Sequence, residues 1–169
     1  MAIAIILMGV SGCGKSSVGR ELSACLGWPF FDGDDYHPLE NINKMAREIP
    51  LDDKDRLPWL KSLHGLIVNS LDRGQSLILA CSALKRAYRE ILKGDRQDVR
   101  FVYLEGTYEL IHQRMLERSE HYMKARMLQS QFGELEPPVR ALRVNIDRPV
   151  REIVEKIRNL LDPQAMVGD

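Results

Sequence analysis

An α/β domain with a largely parallel sheet is predicted by three features of the chain. Short apolar runs recur along it, helical patterns lie between them, and a glycine-rich loop joins the first run to the first helical pattern. The first run, Ile3 to Met8, and the third, Ser76 to Ala80, are apolar along almost their whole length, as strands covered on both faces should be. Pro29 to Phe31 is a short second run that ends at Asp32. Val99 to Leu104 is the fourth and Ala141 to Ile146 the fifth. A helix is predicted over Lys15 to Leu26, stopped by Gly27. The next spans about Asp55 to Asp72, where Leu57, Leu60, Leu63, Ile67 and Leu71 keep helical spacing and Pro58 falls in the first turn. Ser82 is placed to cap a helix over Leu84 to Lys93, Thr107 one that reaches about Arg118, and Pro149 opens the last, to about Leu161.

The 169 residues suit one domain, 1–169, able to bury a core of its own. Lys plus Arg and Asp plus Glu are both 24, so the chain offers no global attraction to nucleic acid or an acidic membrane. Any anion it binds must be held by a local cluster. Neither nucleic acid nor membrane is therefore expected as a partner. Cys13, Cys25 and Cys81 are scattered, without a CxxC, and are expected to be reduced thiols in a cytoplasmic protein. The apolar start lacks a basic region and a cleavage site. No apolar stretch approaches the roughly 20 residues needed to span a bilayer.

Gly9-Val10-Ser11-Gly12-Cys13-Gly14-Lys15-Ser16 matches GxxxxGK[ST] in full and lies between a predicted strand and a predicted helix. Its glycines let the backbone fold tightly, so that successive N–H groups turn inward toward phosphate oxygens. The helix that follows adds its positive end. Gly9 to Ser17 are thus the predicted nucleotide-binding residues. Lys15 is expected to reach the β- and γ-phosphates of ATP, and the Ser16 hydroxyl to bind Mg²⁺. Cys13, near a helix N-terminus, is in a setting that can lower a thiol pKa, and ATP is expected to protect it from alkylation. GTPases also carry DxxG and NKxD, and motor ATPases end a strand in Asp-Glu. The chain has none of these, which fits a small-molecule kinase.

Asp32 and Asp34 flank Gly33 at the end of the second run, the edge where ligands bind in an open α/β sheet. One carboxylate could face the metal and the other accept a hydroxyl proton, or the pair could be a solvated turn. Arg56 either clamps a substrate carboxylate or balances Asp52, Asp53 and Asp55 at the surface. Lys85, Arg86 and Arg89 bring positive charge after the third run, and Arg114, Arg118, Lys124 and Arg126 form a basic stretch. Each could be a solvated helix face; the second could instead be a flap closing over the triphosphate.

The segments LMGVSGCGKS (Leu7 to Ser16), FFDGDDYHP (Phe30 to Pro38), NINKM (Asn41 to Met45), PLDDKDRLPWL (Pro50 to Leu60), CSALKRAYR (Cys81 to Arg89), YLEG (Tyr103 to Gly106), and the stretch from Arg114 through HYM (His121 to Met123) to SQFGELEPP (Ser130 to Pro138) resemble the gluconate kinase family, in the family's order and from Ile6 to about Pro149. That resemblance implies a three-layer P-loop kinase fold of the nucleoside monophosphate kinase type. It has five parallel strands, helices on both faces, and a lid at about 118–137. It implies transfer from ATP to D-gluconate with Mg²⁺, in a homodimer. It makes Asp34 the acceptor base and Arg56 the carboxylate ligand, with His37 and Lys85 in the substrate pocket. Asp32 joins Ser16 at the metal, Arg114 serves the nucleotide, and Arg118 the transferring group. The chain departs from the family at Cys13, where Ser is common; at Glu48, where Gly is common; and at Tyr122, in place of Phe.

Overall fold

The computed structural model describes residues 1–118 and 122–161, the side chains of 122–126 excepted. Its first strand, β1 (Ala4–Met8), is buried at all five positions, as its unbroken apolar run requires. Successive side chains of a strand point to opposite faces. Ile5 and Leu7 accordingly enter one core with Val18, Leu22, Ile111 and Ile153, while Ala4, Ile6 and Met8 enter another with Leu60, Leu63, Ile67 and Leu92. Two cores on one sheet mean helices on both faces. Truncating Ile6 to Ala would cost about 2–5 kcal/mol, because nothing around a fully enclosed side chain is free to fill the space.

The sheet has five strands in the order β2-β3-β1-β4-β5, all parallel. Here β2 is Phe30–Asp32, β3 Leu77–Ala80, β4 Val99–Glu105 and β5 Leu142–Asn145. The chain moves from β1 to one side and then, after β3, crosses to the other. The carboxyl end of β1 therefore borders a switch in winding direction, where a crevice forms. Helix α1 (Lys15–Leu26) leaves that end, and Gly27 closes it at φ 70°.

Two predicted boundaries move. The helix expected from Asp55, α3 (Asp53–Asp72), begins two residues earlier. Asp52 accepts from the Asp55 N–H at 2.7 Å, and Asp55 accepts from the Asp52 N–H at 3.1 Å, a reciprocal cap that fixes the start. Pro58 consequently lies past the first turn. Ser82 does not cap the helix: α4 (Arg86–Lys93) has Lys85 as its N-cap residue, without a side-chain cap hydrogen bond. Thr107 does cap α5 (Tyr108–Glu117), accepting from the Leu110 N–H at 3.2 Å. Two helices were not predicted, α2 (Leu39–Ala46) and α6 (Tyr122–Glu134). The last, α7 (Val150–Leu161), begins as expected. No helix among the described residues is long and apolar enough to cross a membrane.

Candidate active site

The loop after β1 wraps one wall of a cavity of about 250 Å³ at the carboxyl ends of β1, β2 and β3. Ser11, Gly12, Gly14, Lys15, Ser16 and Ser17 line it, with Asp32 and Asp34 from the end of β2, Ser82 after β3, and Arg118 and Gln131 from the far side. Gly9 stands at φ 147°. A Cβ there would come within 2.9 Å of the Leu104 carbonyl, so the loop can rise off the sheet only from a glycine. Lys15 Nζ donates to the Gly9 and Val10 carbonyls at 2.9 and 3.0 Å, which parks the ammonium across its own loop.

Gly9, Val10 and Cys13 are not part of the cavity lining. The Val10 and Cys13 side chains are buried in the core below it. Cys13, only 2% exposed, is thereby closed to reagents, contrary to the expectation of an accessible loop thiol. Cys81, also buried, has its thiol pushed up to about 12 by loss of solvent.

Asp32 closes β2, and its two oxygens have separate tasks. Oδ2 accepts from the Ser16 hydroxyl at 3.3 Å, and Oδ1 accepts from the Asp34 N–H at 3.0 Å, opening a 3₁₀ turn over Gly33–Tyr36. The turn lies directly on β3: a Cβ on Gly33 would stand 2.6 Å from the Ala80 carbonyl. Trp59, on α3, donates from Nε1 to the Gly33 carbonyl at 2.7 Å and locks the turn. Asp34 thus opens onto the cavity and keeps access to solvent. Loss of part of its solvent to the surrounding protein, and then the neighbouring Asp32, hold its carboxyl above the usual range, against the pull of Lys15.

His37 stacks on Trp59 with ring centroids 4.1 Å apart. The buried Asn41 amide donates to the Asp55 carbonyl at 2.9 Å and contacts His37 Nδ1 at 3.2 Å. An amide N–H₂ can only donate, so Nδ1 is the acceptor and the ring proton sits on Nε2. Burial, and then the nearby Arg56, push the His37 pKa down to about 4, so the ring is neutral at neutral pH.

Arg56, His37, Lys85 and Arg114 lie outside the cavity lining. Two of them meet next to it, around Tyr88. Arg56 and Lys85 both stand over the Tyr88 ring, 5.4 and 5.5 Å from its centre. Arg56 Nη1 donates to the Tyr88 hydroxyl at 2.7 Å and to Glu134 of α6 at 3.1 Å. Lys85 pairs with Asp53 at 3.0 Å, and the Tyr88 hydroxyl also donates to Asp53. That hydroxyl, and then Lys85, hold the Asp53 carboxyl below its usual range. Arg114 is on α5 without a polar partner among the described residues. Lys124 and Arg126 fall where side chains lie outside the described residues.

Residue-by-residue inspection of the sequence misses Gln131, whose Oε1 accepts from the Ser11 N–H at 2.6 Å inside the phosphate loop. It also misses Trp59, Tyr88, Asn41 and Glu134. All five fall within segments that carry the resemblance, which assigned them no role. For Gln131 and Glu134 the residues themselves add no signal, because their partners are distant in the chain.

A phosphate-cradling backbone facing a pair of carboxylates across the crevice of a parallel sheet defines the class as P-loop kinase. Comparison with known proteins narrows it. Residues 11–158 match the family model described as "Shikimate kinase". A "Probable gluconokinase" of Xenopus tropicalis is 42% identical, covering 96% of this chain and 95% of its own. The "Thermosensitive gluconokinase" of Escherichia coli (strain K12) is 41% identical over 90% of this chain and 84% of its own. The crystal structure of a gluconokinase from Sinorhizobium meliloti 1021 superposes with a TM-score of 0.83 at 40% identity, covering 91% of this chain and 88% of that one. The chain belongs to the gluconokinase family, on a domain of the shikimate kinase type. It is accordingly an ATP-dependent phosphotransferase.

Proposed function

We propose that the chain transfers the γ-phosphoryl group of ATP to D-gluconate, giving ADP and 6-phosphogluconate. What carries the reading is the likeness to gluconokinases along most of the chain, taken with an arginine, Arg56, that already engages a carboxylate, Glu134, on the helix whose Gln131 meets the phosphate loop. An acceptor hydroxyl oxygen attacks the γ-phosphorus, the bond from that phosphorus to the bridging oxygen breaks, and the hydroxyl proton passes to Asp34. A carboxyl held above its usual range is, in its ionised form, a better proton acceptor. Backbone N–H groups from Ser11 to Ser17 receive the phosphates. Lys15 exchanges its loop carbonyls for phosphate oxygens, and Arg118, at the cavity's rim, offsets charge on the transferring group. Arg114 is the second cation proposed for the nucleotide.

Arg56 receives the acceptor's carboxylate and Lys85 stands beside it. His37, neutral and protonated on Nε2, offers a donor to acceptor hydroxyls. No group of three His, Cys, Asp or Glu among the described residues could hold a metal by itself. The Ser16 and Asp32 oxygens are hard donors of the kind Mg²⁺ takes in pairs when substrate phosphates complete its shell. They are the residues proposed to hold Mg²⁺, which supplies charge neutralisation to the phosphates. Residues 118–137 are the proposed lid of the single domain. A cytoplasmic setting goes with three unpaired cysteines. A homodimer goes with the exposed apolar row Leu39, Ile42 and Met45 on α2, and sedimentation tests it.

The match to the shikimate kinase model supports one rival acceptor, since shikimate also carries a carboxylate and hydroxyls. A coupled assay over gluconate, shikimate and glucose decides: turnover with gluconate alone is the expected outcome, and turnover with shikimate or glucose at comparable efficiency contradicts the reading. Arg56→Leu should lose roughly 30-fold or more in kcat/KM for gluconate, because truncating one side of a buried charge pair costs about 2–5 kcal/mol. Arg56→Lys should restore only part, since an ammonium makes no two-pronged contact.

A further inference from the structure

Arg56 is not waiting empty for an acceptor. Its guanidinium is paired with Glu134 at 3.1 Å, in a contact whose two side chains are 18% and 29% exposed. Glu134 sits near the end of α6. Three residues earlier on the same helix, and so on the same face, Gln131 accepts from the Ser11 N–H of the phosphate loop at 2.6 Å. Just past Glu134 the chain is tied down. The Glu136 N–H donates to the Leu84 carbonyl at 2.8 Å, and the Glu136 carbonyl accepts from Arg89 at 2.8 Å. The helix therefore holds one contact on the acceptor's cation and one on the nucleotide's loop, ahead of a fixed point.

Both contacts imitate a substrate. The Glu134 carboxylate is the same chemical group as the acid end of a sugar acid. The Gln131 carbonyl oxygen takes an N–H donor from the loop built for phosphate oxygens. Two carboxylates at one guanidinium repel each other, and one N–H cannot serve two acceptors at full strength. Resting on the reading that Arg56 receives the acceptor's carboxylate, we propose that Glu134 is a resident competitor for Arg56. The incoming acid displaces it, and with it loosens α6 from the phosphate loop. Each substrate then removes one of two contacts on the same helix, so whichever binds first lowers the cost of binding the second. Gluconate and ATP should bind with mutual, reciprocal synergy.

The test uses the full chain, Mg²⁺, gluconate and a non-hydrolysable ATP analogue in titration calorimetry. Glu134→Gln should tighten gluconate about two- to fivefold, the range for a partly solvated ion pair. It should also reduce the factor by which gluconate tightens the analogue. In kcat/KM for gluconate the same substitution should help when Arg56 is present and do nothing in an Arg56→Leu background, a difference that a merely structural glutamate would not produce. Gluconate affinity unchanged or weakened in Glu134→Gln, or synergy of undiminished size, overturns the proposal while leaving the substrate reading intact. If the wild type binds shikimate and not gluconate, the substrate reading fails and the competition is scored with shikimate. If neither protein binds any sugar acid, both fail.

Discussion

Asp32 and Asp34 are separated by a single glycine, yet the turn gives them different neighbours. Asp32 is committed through both oxygens, to the Ser16 hydroxyl and to the Asp34 N–H. Asp34 makes no such bond among the described residues and faces the cavity near Lys15. Asp34→Asn should thus lower kcat by about 100-fold or more while ATP binding persists, the range typical of a lost general base. Asp32→Asn should change the Mg²⁺ dependence. Titrating each variant with ATP and Mg²⁺ beside its turnover checks this, and identical phenotypes would refute the division. His37 makes a pH prediction. Its folded pKa, about 4, lies below the unfolded value of 6.5, so the unfolded chain takes up the proton first. Its contribution to stability is full above that higher value and is lost as pH falls toward the lower one, by about 2 kcal/mol between pH 7 and 5. Urea melts at the two pH values should show this slope for the wild type and a flatter one for His37→Gln. Cysteine chemistry follows burial: alkylating the folded protein should label Cys25, the exposed thiol, and spare Cys13 and Cys81. Mass spectrometry reads this directly.

The elements around the acceptor site are held by their ends. Lys44, from α2, grips both oxygens of Asp55 at 2.8 and 2.9 Å, and Asp55 is half of the reciprocal cap that starts α3. The loop between the two helices contains Glu48 at φ 61°, left-handed backbone in a residue with a side chain. The family's usual glycine at this position is now intelligible: the turn after α2 demands that conformation. Left-handed geometry costs a non-glycine residue about 1–2 kcal/mol, and glycine's greater freedom in the unfolded chain offsets part of that. Glu48→Gly should accordingly stabilise the protein by roughly 0.5–1 kcal/mol, seen as a higher denaturation midpoint at unchanged m-value. A lower midpoint would mean that the Glu48 side chain contributes more than its backbone costs.

At the scale of the whole molecule, Arg89 joins parts that the sheet alone does not. It is buried, and its guanidinium donates to the Ala83 and Leu84 carbonyls at 2.7 and 3.0 Å and to Glu136 at 2.8 Å. The first two lie in the β3–α4 connection, where Ala83 is held at φ 46°; the third lies beyond α6. One side chain thus fixes the wall behind Ser82 to the segment from which α6 extends. Arg89→Met keeps the volume and removes the donors, leaving the Ala83 and Glu136 carbonyls short of a partner, while Leu84 keeps the Glu136 N–H. A loss of about 1–3 kcal/mol is expected in urea unfolding, with reduced turnover in the fraction that remains folded. Full activity at wild-type stability would show that the connection holds itself.

What the chain determined by itself is local. The glycines, lysine and serine of the phosphate loop are consecutive, and β1 announces two covered faces through an unbroken apolar run, so near neighbours carry the whole instruction. The Thr107 cap and the Gly27 stop are likewise written within one turn. The Asp32–Asp34 turn was legible as a pair, and its orientation was not. The tertiary structure decided everything that depends on how the crossovers stack. Gln131 meets a loop 120 residues earlier, and Glu134 meets Arg56 across 78 residues. Neither residue differs locally from an ordinary polar position on a helix surface. Side-chain pairing over such separations depends on where the packed cores place each helix relative to the sheet's carboxyl edge. That placement is a sum over many buried contacts, and no short segment contains it.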